Sequence, residues 1–279
     1  MAATPLLLVD NLLDTVVLYP GATLSASSEL AGREAFRLAD YRRERTWWQT
    51  ATTATNHNVS VDAGAGNTRN ADALWIDRGH NLAGKTIKVD HSDNGLSWTT
   101  LRTLTVPATS TVGGDPTTTT FAATEEGALY ALFAAAGAAH RYWRVLVVES
   151  WQPIVPGAIL GQRVQLVGYS RTYDEDQGER TEVYEMSRAG YRGTDRTYHW
   201  RRAVLDLGTI GAADYDAQVR VLRRQLFELN QPCVLVMQYD TKPERGWLYQ
   251  YDGTAWGFAK ERTLRAGQIP LRECGHLVG

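Results

Sequence analysis

Short runs of alternating or β-branched residues, each bounded by Gly, Asn or Asp, constrain this chain more than any other feature. Asn58 to Asp62 (NVSVD), Ala73 to Asp77 (ALWID), Thr86 to His91 (TIKVDH), Trp98 to Thr105 and Tyr142 to Val148 fill the first half. A period of two sends one side of each run into a core and the other toward water, and closely spaced turns favour antiparallel neighbours. The pattern therefore predicts an all-β sandwich or barrel. Ser92-Asp93-Asn94-Gly95 predicts a hairpin, because Asn-Gly supplies the positive φ angles that a tight turn needs. The Thr-rich stretch from Thr99 to Thr120 reads as a strand leading into an exposed loop, and Glu125 to Ala139 as a short helix limited by Gly127 and Gly137.

Pro153, Pro156 and Gly157 mark a joint, and 279 residues suit two domains, divided here into 1–155 and 156–279. The second half predicts strands at Val164 to Tyr169 and Thr181 to Met186, flanking an acidic turn (Asp174, Glu175, Asp176, Gly178, Glu179). That turn departs from a calcium-binding helix-loop-helix, which needs Gly where Glu179 stands, and reads as a solvated hairpin tip. Arg196 to Leu207 reads as a half-buried strand. From Asp214 to Asn230, Tyr215, Val219, Leu222, Leu226 and Leu229 recur at helical spacing while Arg220, Arg223, Arg224 and Glu228 occupy the other face. Cys233 to Tyr239 is apolar enough for a central strand, and Gly246 to Gly257 predicts a hairpin joining Trp247, Tyr249, Tyr251 and Trp256. One helix on a strand-rich sheet is an α+β layer. The fold class expected is thus mainly β with an α+β second half.

A net charge of -2 lacks the basic excess of a general nucleic-acid binder. All but four of the 29 cationic side chains are Arg, and Trp and Tyr are plentiful. Protein interfaces favour these types and avoid Lys, which points to an assembly component; codon preference in a GC-rich genome gives the same skew. Met1 to Pro20 carries no basic residue, unlike a secretory signal, and the most apolar later stretch, Ala128 to Ala139, is too short to span a bilayer. Cys233 and Cys274 stand alone, with neither zinc nor disulfide spacing. The six His are scattered, and no nucleophile elbow, phosphate loop or dinucleotide motif occurs. Nothing singles out a carboxylate pair or an activated nucleophile, so the chain reads as a non-enzyme.

The order Ala26-Ser27-Ser28-Glu29, Ala35 to Asp40, Thr46-Trp47-Trp48, Val59 to Asp62, Gly84 to Val89, Ser92 to Trp98 and Tyr142 to Val145 resembles the discoidin, or coagulation-factor C-type, domain. The resemblance implies a galactose-binding-like jelly-roll β-sandwich over about residues 20 to 150, whose end loops bind sugars or lipid head groups. It also implies a structural calcium ion held by Asp40, Thr46 and Glu149 with backbone carbonyls of residues 41–44. The alternative is that Asp40 caps a turn and Arg42 or Arg43 replaces the ion's charge. A sugar site would use Trp47, Trp48, His80 and Asn81, an indole supplying the flat apolar face and polar neighbours fixing hydroxyls. The family pattern puts one of the two Trp in the core.

From residue 160 onward, the order of hairpin with long strand, helix, Pro, apolar strand and aromatic hairpin resembles the ring-forming domain of distal tail proteins of long-tailed bacteriophages. That resemblance implies a split barrel with one helix and a homo-oligomeric ring, a hexamer above all, continuing the tail tube. Here the sandwich comes first, unlike the known distal tail proteins, which fits a related tail-tip or baseplate component. The expected protein is a structural virion component of the tail tip, made in the host cytoplasm, contacting the tail tube, other tail-tip proteins and a host-surface glycan. Tyr198, Arg201, Arg202, Arg223, Arg224 and Trp247 are the residues expected at subunit contacts. The alternative is a carbohydrate-binding protein or module with no part in tail assembly.

Overall fold

The computed structural model describes residues 5–14, 21–40, 46–109, 111–166, 169–186, 191–251, 257–261, 264–274 and 276–277. The fold is mainly β, built from antiparallel sheets, and divides into two compact units. One holds the chain up to Gln165 together with Val234–Trp247; the other holds Leu166–Cys233 and Leu248–Gly279. Among the described residues no helix is long and apolar enough to cross a membrane.

The first unit contains β1 (Leu6–Val9), β2 (Thr23–Ala26), β3 (Trp48–Gln49), β4 (His57–Asp62), β5 (Ala73–Ile76), β6 (Thr86–Ser92), β7 (Thr99–Thr105), β8 (Ala122–Ala123), β9 (Leu129–Leu132), β10 (Tyr142–Val147), β11 (Ile154–Val155) and β12 (Ala158–Gln165). The alternating runs form strands as expected. A five-stranded sheet in the order β2-β4-β10-β6-β7 packs against a second sheet in which β1, β12, β5, β9 and β8 are successive neighbours. In β4 the buried side chains alternate strictly, with Val59 and Val61 pointing inward. They meet Ile87, Val89 and Trp143 from their own sheet and Leu74, Ile76 and Ala131 from the opposite one in a single core. β6 and β7 form the expected hairpin, but through the six residues 93–98 rather than a tight Asn-Gly turn; of that pair only Gly95 takes a positive φ, +70°, where L side chains are strained.

The second sheet is buried on both faces. Trp75 and Tyr130 lie on the side away from the sandwich core, 1% and 0% exposed. The segment Val234–Trp247 packs there. Tyr130 donates its hydroxyl proton to the Pro243 carbonyl at 2.9 Å, the Glu125 N–H bonds Glu244 O at 3.0 Å, and a Cβ on Gly246 would stand 3.5 Å from Trp75. Glu125 to Ala139 is thus not the expected helix. It supplies β9, whose Leu129, Tyr130, Ala131 and Leu132 are all buried because both sides of the strand are covered.

The expected joint between residues 155 and 156 falls between β11 and β12, both inside the first unit. β12 continues to Gln165, pairing with β1 on one side and β5 on the other. Buried Asn11 fastens this junction. Its amide donates to Ala158 O at 2.9 Å while its carbonyl accepts from Leu160 and Leu13 N–H at 3.0 and 3.1 Å.

The second unit contains β13 (Tyr169–Met186), β14 (Tyr191–Gly211), one helix α1 in consecutive turns (Ala212–Asp214, Tyr215–Val219, Arg220–Leu222 and Arg223–Glu228), then β17 (Gly257–Glu261), β18 (Leu264–Glu273) and β19 (His276–Leu277). The bounds of β15 (Cys233–Val236) and β16 (Gly246–Tyr251) straddle the division between units. The acidic cluster at Asp174 to Glu179 is not a hairpin tip. It lies within β13, where Glu175, Asp176 and Gln177 stand in register opposite Ala203, Arg202 and Arg201. The 246–257 hairpin also differs from expectation: β16 and β17 each pair with β18, and Asp252 to Trp256 lie outside the described residues. The α1 periodicity holds, with Val219, Leu222 and Leu226 buried and Arg220, Arg223, Arg224 and Glu228 exposed. Its second and fourth segments take the wider i to i+5 pattern.

Candidate functional site

Strand register fixes which loops of the first unit share one end. Ala26 pairs with Val59, His57 and Ile87 both pair with Val147, and Thr86 pairs with Thr105. The segments following Ala26, preceding His57, preceding Thr86 and following Val147 therefore emerge together.

They are stitched to one another. The Ala51 N–H donates to Ser28 Oγ at 3.1 Å, Gln152 Nε2 to Thr50 O at 2.7 Å, and Ser150 Oγ to Thr53 O. Asn81 clamps the strand-end segment from both directions, donating to Gln152 O at 3.0 Å and accepting from Ile154 N–H at 2.8 Å. The Thr86 N–H is shared by both Glu149 oxygens at 2.9 and 3.0 Å. Burial alone would push the Glu149 carboxyl up; the Thr86 N–H and the Lys85 charge outweigh it and hold it below the usual carboxylate range. Loops tied this closely are set before a ligand arrives, which lowers the ordering cost of binding.

Trp151, 39% exposed, stands on this end, with the Lys85 ammonium 4.6 Å from its ring centroid. Phe36 is half-exposed beside Arg37, and the Arg33 guanidinium carbon lies 3.3 Å from the centroid of half-buried Trp47. Trp151 belongs to no alternating run and therefore has no reserved core slot; its position just after the last strand of the five-stranded sheet is the signal that could have found it.

The residues expected at a sugar site are placed unevenly. Trp48 is the core member of its pair, 3% exposed, with Nε1 donating to Ser28 O at 3.3 Å. Trp47 faces outward, its indole N–H on Gln49 Oε1 at 3.1 Å. The His80 Nδ1 accepts from Leu82 N–H at 3.3 Å. Burial pushes the His80 imidazole below its ordinary value, partly offset by the Gly127 carbonyl and the Asp77 charge. Both His80 and Asn81 are thus engaged in holding loops.

Of the expected calcium ligands, Asp40 contacts Arg37 Nη1 at 3.4 Å, Glu149 accepts from the Thr86 N–H, and Thr46 Oγ1 is buried with no hydrogen-bond partner among the described residues. Residues 41–45 lie outside the described residues. No group of three His, Cys, Asp or Glu suited to a metal occurs among the described residues.

Of the expected subunit-contact residues, Arg223 and Arg224 are exposed on α1, and Trp247 is 4% exposed. The side chains of Tyr198, Arg201 and Arg202 lie outside those described. Inside the sandwich, a void of 20 Å³ between Leu13, Leu38, Trp48, Ile76, Ile87 and Val147 is far too small for a sugar ring.

No family model matches the chain, and no curated protein matches it. Several solved structures are similar to part of it. A Ruminococcus gnavus GH29 fucosidase in complex with fucose is 14% identical with a TM-score of 0.39, over 56% of this chain and 27% of the fucosidase. Chitosan-binding module 1 of a Paenibacillus sp. IK-5 chitosanase/glucanase is 21% identical with a TM-score of 0.37, over 55% of this chain and 98% of the module. The family 32 carbohydrate-binding module of Clostridium perfringens NanJ, in complex with galactose, is 14% identical with a TM-score of 0.36, over 51% of this chain and 93% of the module. The chain thus spans about a quarter of the length of the fucosidase.

Proposed function

We propose that the chain is a non-catalytic binding protein whose first unit contacts a glycan through the loop end that carries Trp151. The observation that carries this reading is an indole left 39% exposed on loops that are otherwise hydrogen-bonded to one another. An indole presents a flat apolar face with a polar N–H at its edge. A pyranose offers the matching surface: an apolar ring face to stack, and hydroxyls for the polar rim. Immobilised glycans should capture the full chain and fail to capture Trp151→Ala, with the melting temperature of the variant unchanged; equal capture of both proteins would count against the site.

A second reading, assembly into a phage tail-tip ring, is favoured by α1. Val221, 40% exposed, lines an open groove of 670 Å³ with Tyr215, Asp216, Arg220, Arg223, Arg224 and Glu228, and Phe227 is 44% exposed on the same helix. If this face joins subunits, the Arg223→Ala, Arg224→Ala double variant remains folded while light scattering shows a smaller species than the parent. An unchanged size distribution would remove α1 from the assembly surface.

A further inference from the structure

The glycan-contact reading leaves open which sugars the loop end prefers, and Lys85 narrows the answer. Its backbone is fixed on both sides: the Lys85 N–H donates to Leu82 O at 3.0 Å, and its carbonyl accepts from Val106 N–H at 2.9 Å. Gly84, at φ +71°, makes the turn that delivers it. Trp151 is held from both sides, since the side chains of its neighbours, Ser150 and Gln152, are bonded to the 50–53 segment. Two side chains with little freedom at their roots thus meet at 4.6 Å.

The charges around the pair are unequal. Arg37, the cation next to exposed Phe36, lies 3.7 Å from a Glu34 oxygen and 3.4 Å from Asp40, so its charge is already answered. Lys85 forms no ion pair within 4 Å among the described residues, and the carboxylate whose field it feels, Glu149, spends both oxygens on the Thr86 N–H. An ammonium has three donors and no acceptor, and it bonds a single oxyanion from many directions, unlike the fixed fork of Arg. Contact with the indole face keeps it at the ring without using up those donors.

We propose that Lys85 and Trp151 together select a sugar bearing a carboxylate, such as a sialic or uronic acid. This rests on the glycan-contact reading above. The pyranose ring packs on the indole and its carboxylate takes a charge-assisted hydrogen bond from the Lys85 ammonium. Trp151 gives affinity for a ring of any charge, and Lys85 gives the preference.

The test measures binding of the full chain to 3′-sialyllactose against lactose, and to a galacturonate trisaccharide against the matching neutral galactoside. At least one acidic probe is expected to bind about tenfold more tightly than its neutral counterpart, the difference of one charge-assisted hydrogen bond. Raising the salt concentration should narrow the ratio. Lys85→Met, shown folded by a cooperative melt, should abolish the ratio, whereas Trp151→Ala should lose both classes of probe. Equal affinity for acidic and neutral probes in the parent chain, or a ratio that survives in Lys85→Met, overturns the acidic-sugar proposal while leaving the glycan reading intact. Absence of binding to all four probes removes both.

Discussion

Arg144 and Asp90 show how single residues hold the outer side of the five-stranded sheet. The Arg144 Nε donates to Asp90 Oδ2 at 2.7 Å, and the Trp98 ring lies 4.4 Å from the guanidinium carbon. The Asp90 side chain is only 1% exposed and its Oδ1 has no hydrogen-bond partner. Removing the cation would strand a buried carboxylate, so Arg144→Ala should cost about 3 kcal/mol in chemical denaturation, and less than about 1 kcal/mol would show that the site relaxes. His91 sets a pH dependence at the opposite end of that sheet from Trp151. Its ring stacks on His140 at 3.8 Å, and His140 Nδ1 sits 2.8 Å from Asp93 Oδ1. Burial and then the His140 charge push the His91 imidazole below its ordinary value, against the smaller pull of Asp93 and Asp90. A folded-state value below the unfolded one means that the unfolded chain binds the proton more readily. Stability is therefore full above the unfolded value of about 6.5 and falls as the pH drops through it. Melting temperatures should decline from pH 7.5 to 5.5, and His91→Gln should flatten that decline; the same slope in the variant would assign it elsewhere.

Among the elements, those with a clean period were legible and those shaped by cover from both sides were not. NVSVD became β4 with strict alternation, and the 3- and 4-residue spacing of α1 appeared as a buried stripe. The composition of β9 favours helix, and a run buried on both faces has no period of two to display. The acidic run in β13 has no apolar signal at all; pairing with β14, a partner distant in sequence until the hairpin closes, makes it a strand. At the candidate site, that one of Trp47 and Trp48 is core could be read from the chain, whereas which of the two it is, and the loops that gather around Trp151, follow only from the register. The β1 and β12 contact is also invisible in sequence. A Cβ on Gly161 would run into the Val9 carbonyl oxygen, with Asp10 O at 3.0 Å. Both obstacles are backbone, so Gly161→Ala should lower stability by about 2 kcal/mol or more as the strands are forced apart. Unchanged denaturation would mean that the strands separate without loss.

For the first unit taken whole, the segment Val234–Trp247 matters most. The chain returns to the first unit after some seventy residues spent in the second, which no local pattern announces. Val234, Leu235 and Val236 register with β1, and Pro243 and Glu244 bond the far side of the second sheet. A fragment ending at Gln165 would leave one edge of β1 open and uncover Trp75 and Tyr130. It should be poorly soluble or melt well below the intact chain, while an internal deletion confined to the β13 and β14 hairpin should spare the first unit. A fragment of residues 1–165 as stable as the full chain would refute the role given to that segment. The glycan reading is therefore best tested on the intact protein. The most direct measurement is the affinity of the full chain for an array of immobilised glycans, set beside Trp151→Ala at equal fold stability. The account predicts binding to a defined set of sugars that disappears in the variant; binding that persists without the Trp151 indole, or no binding by the parent chain, would contradict it.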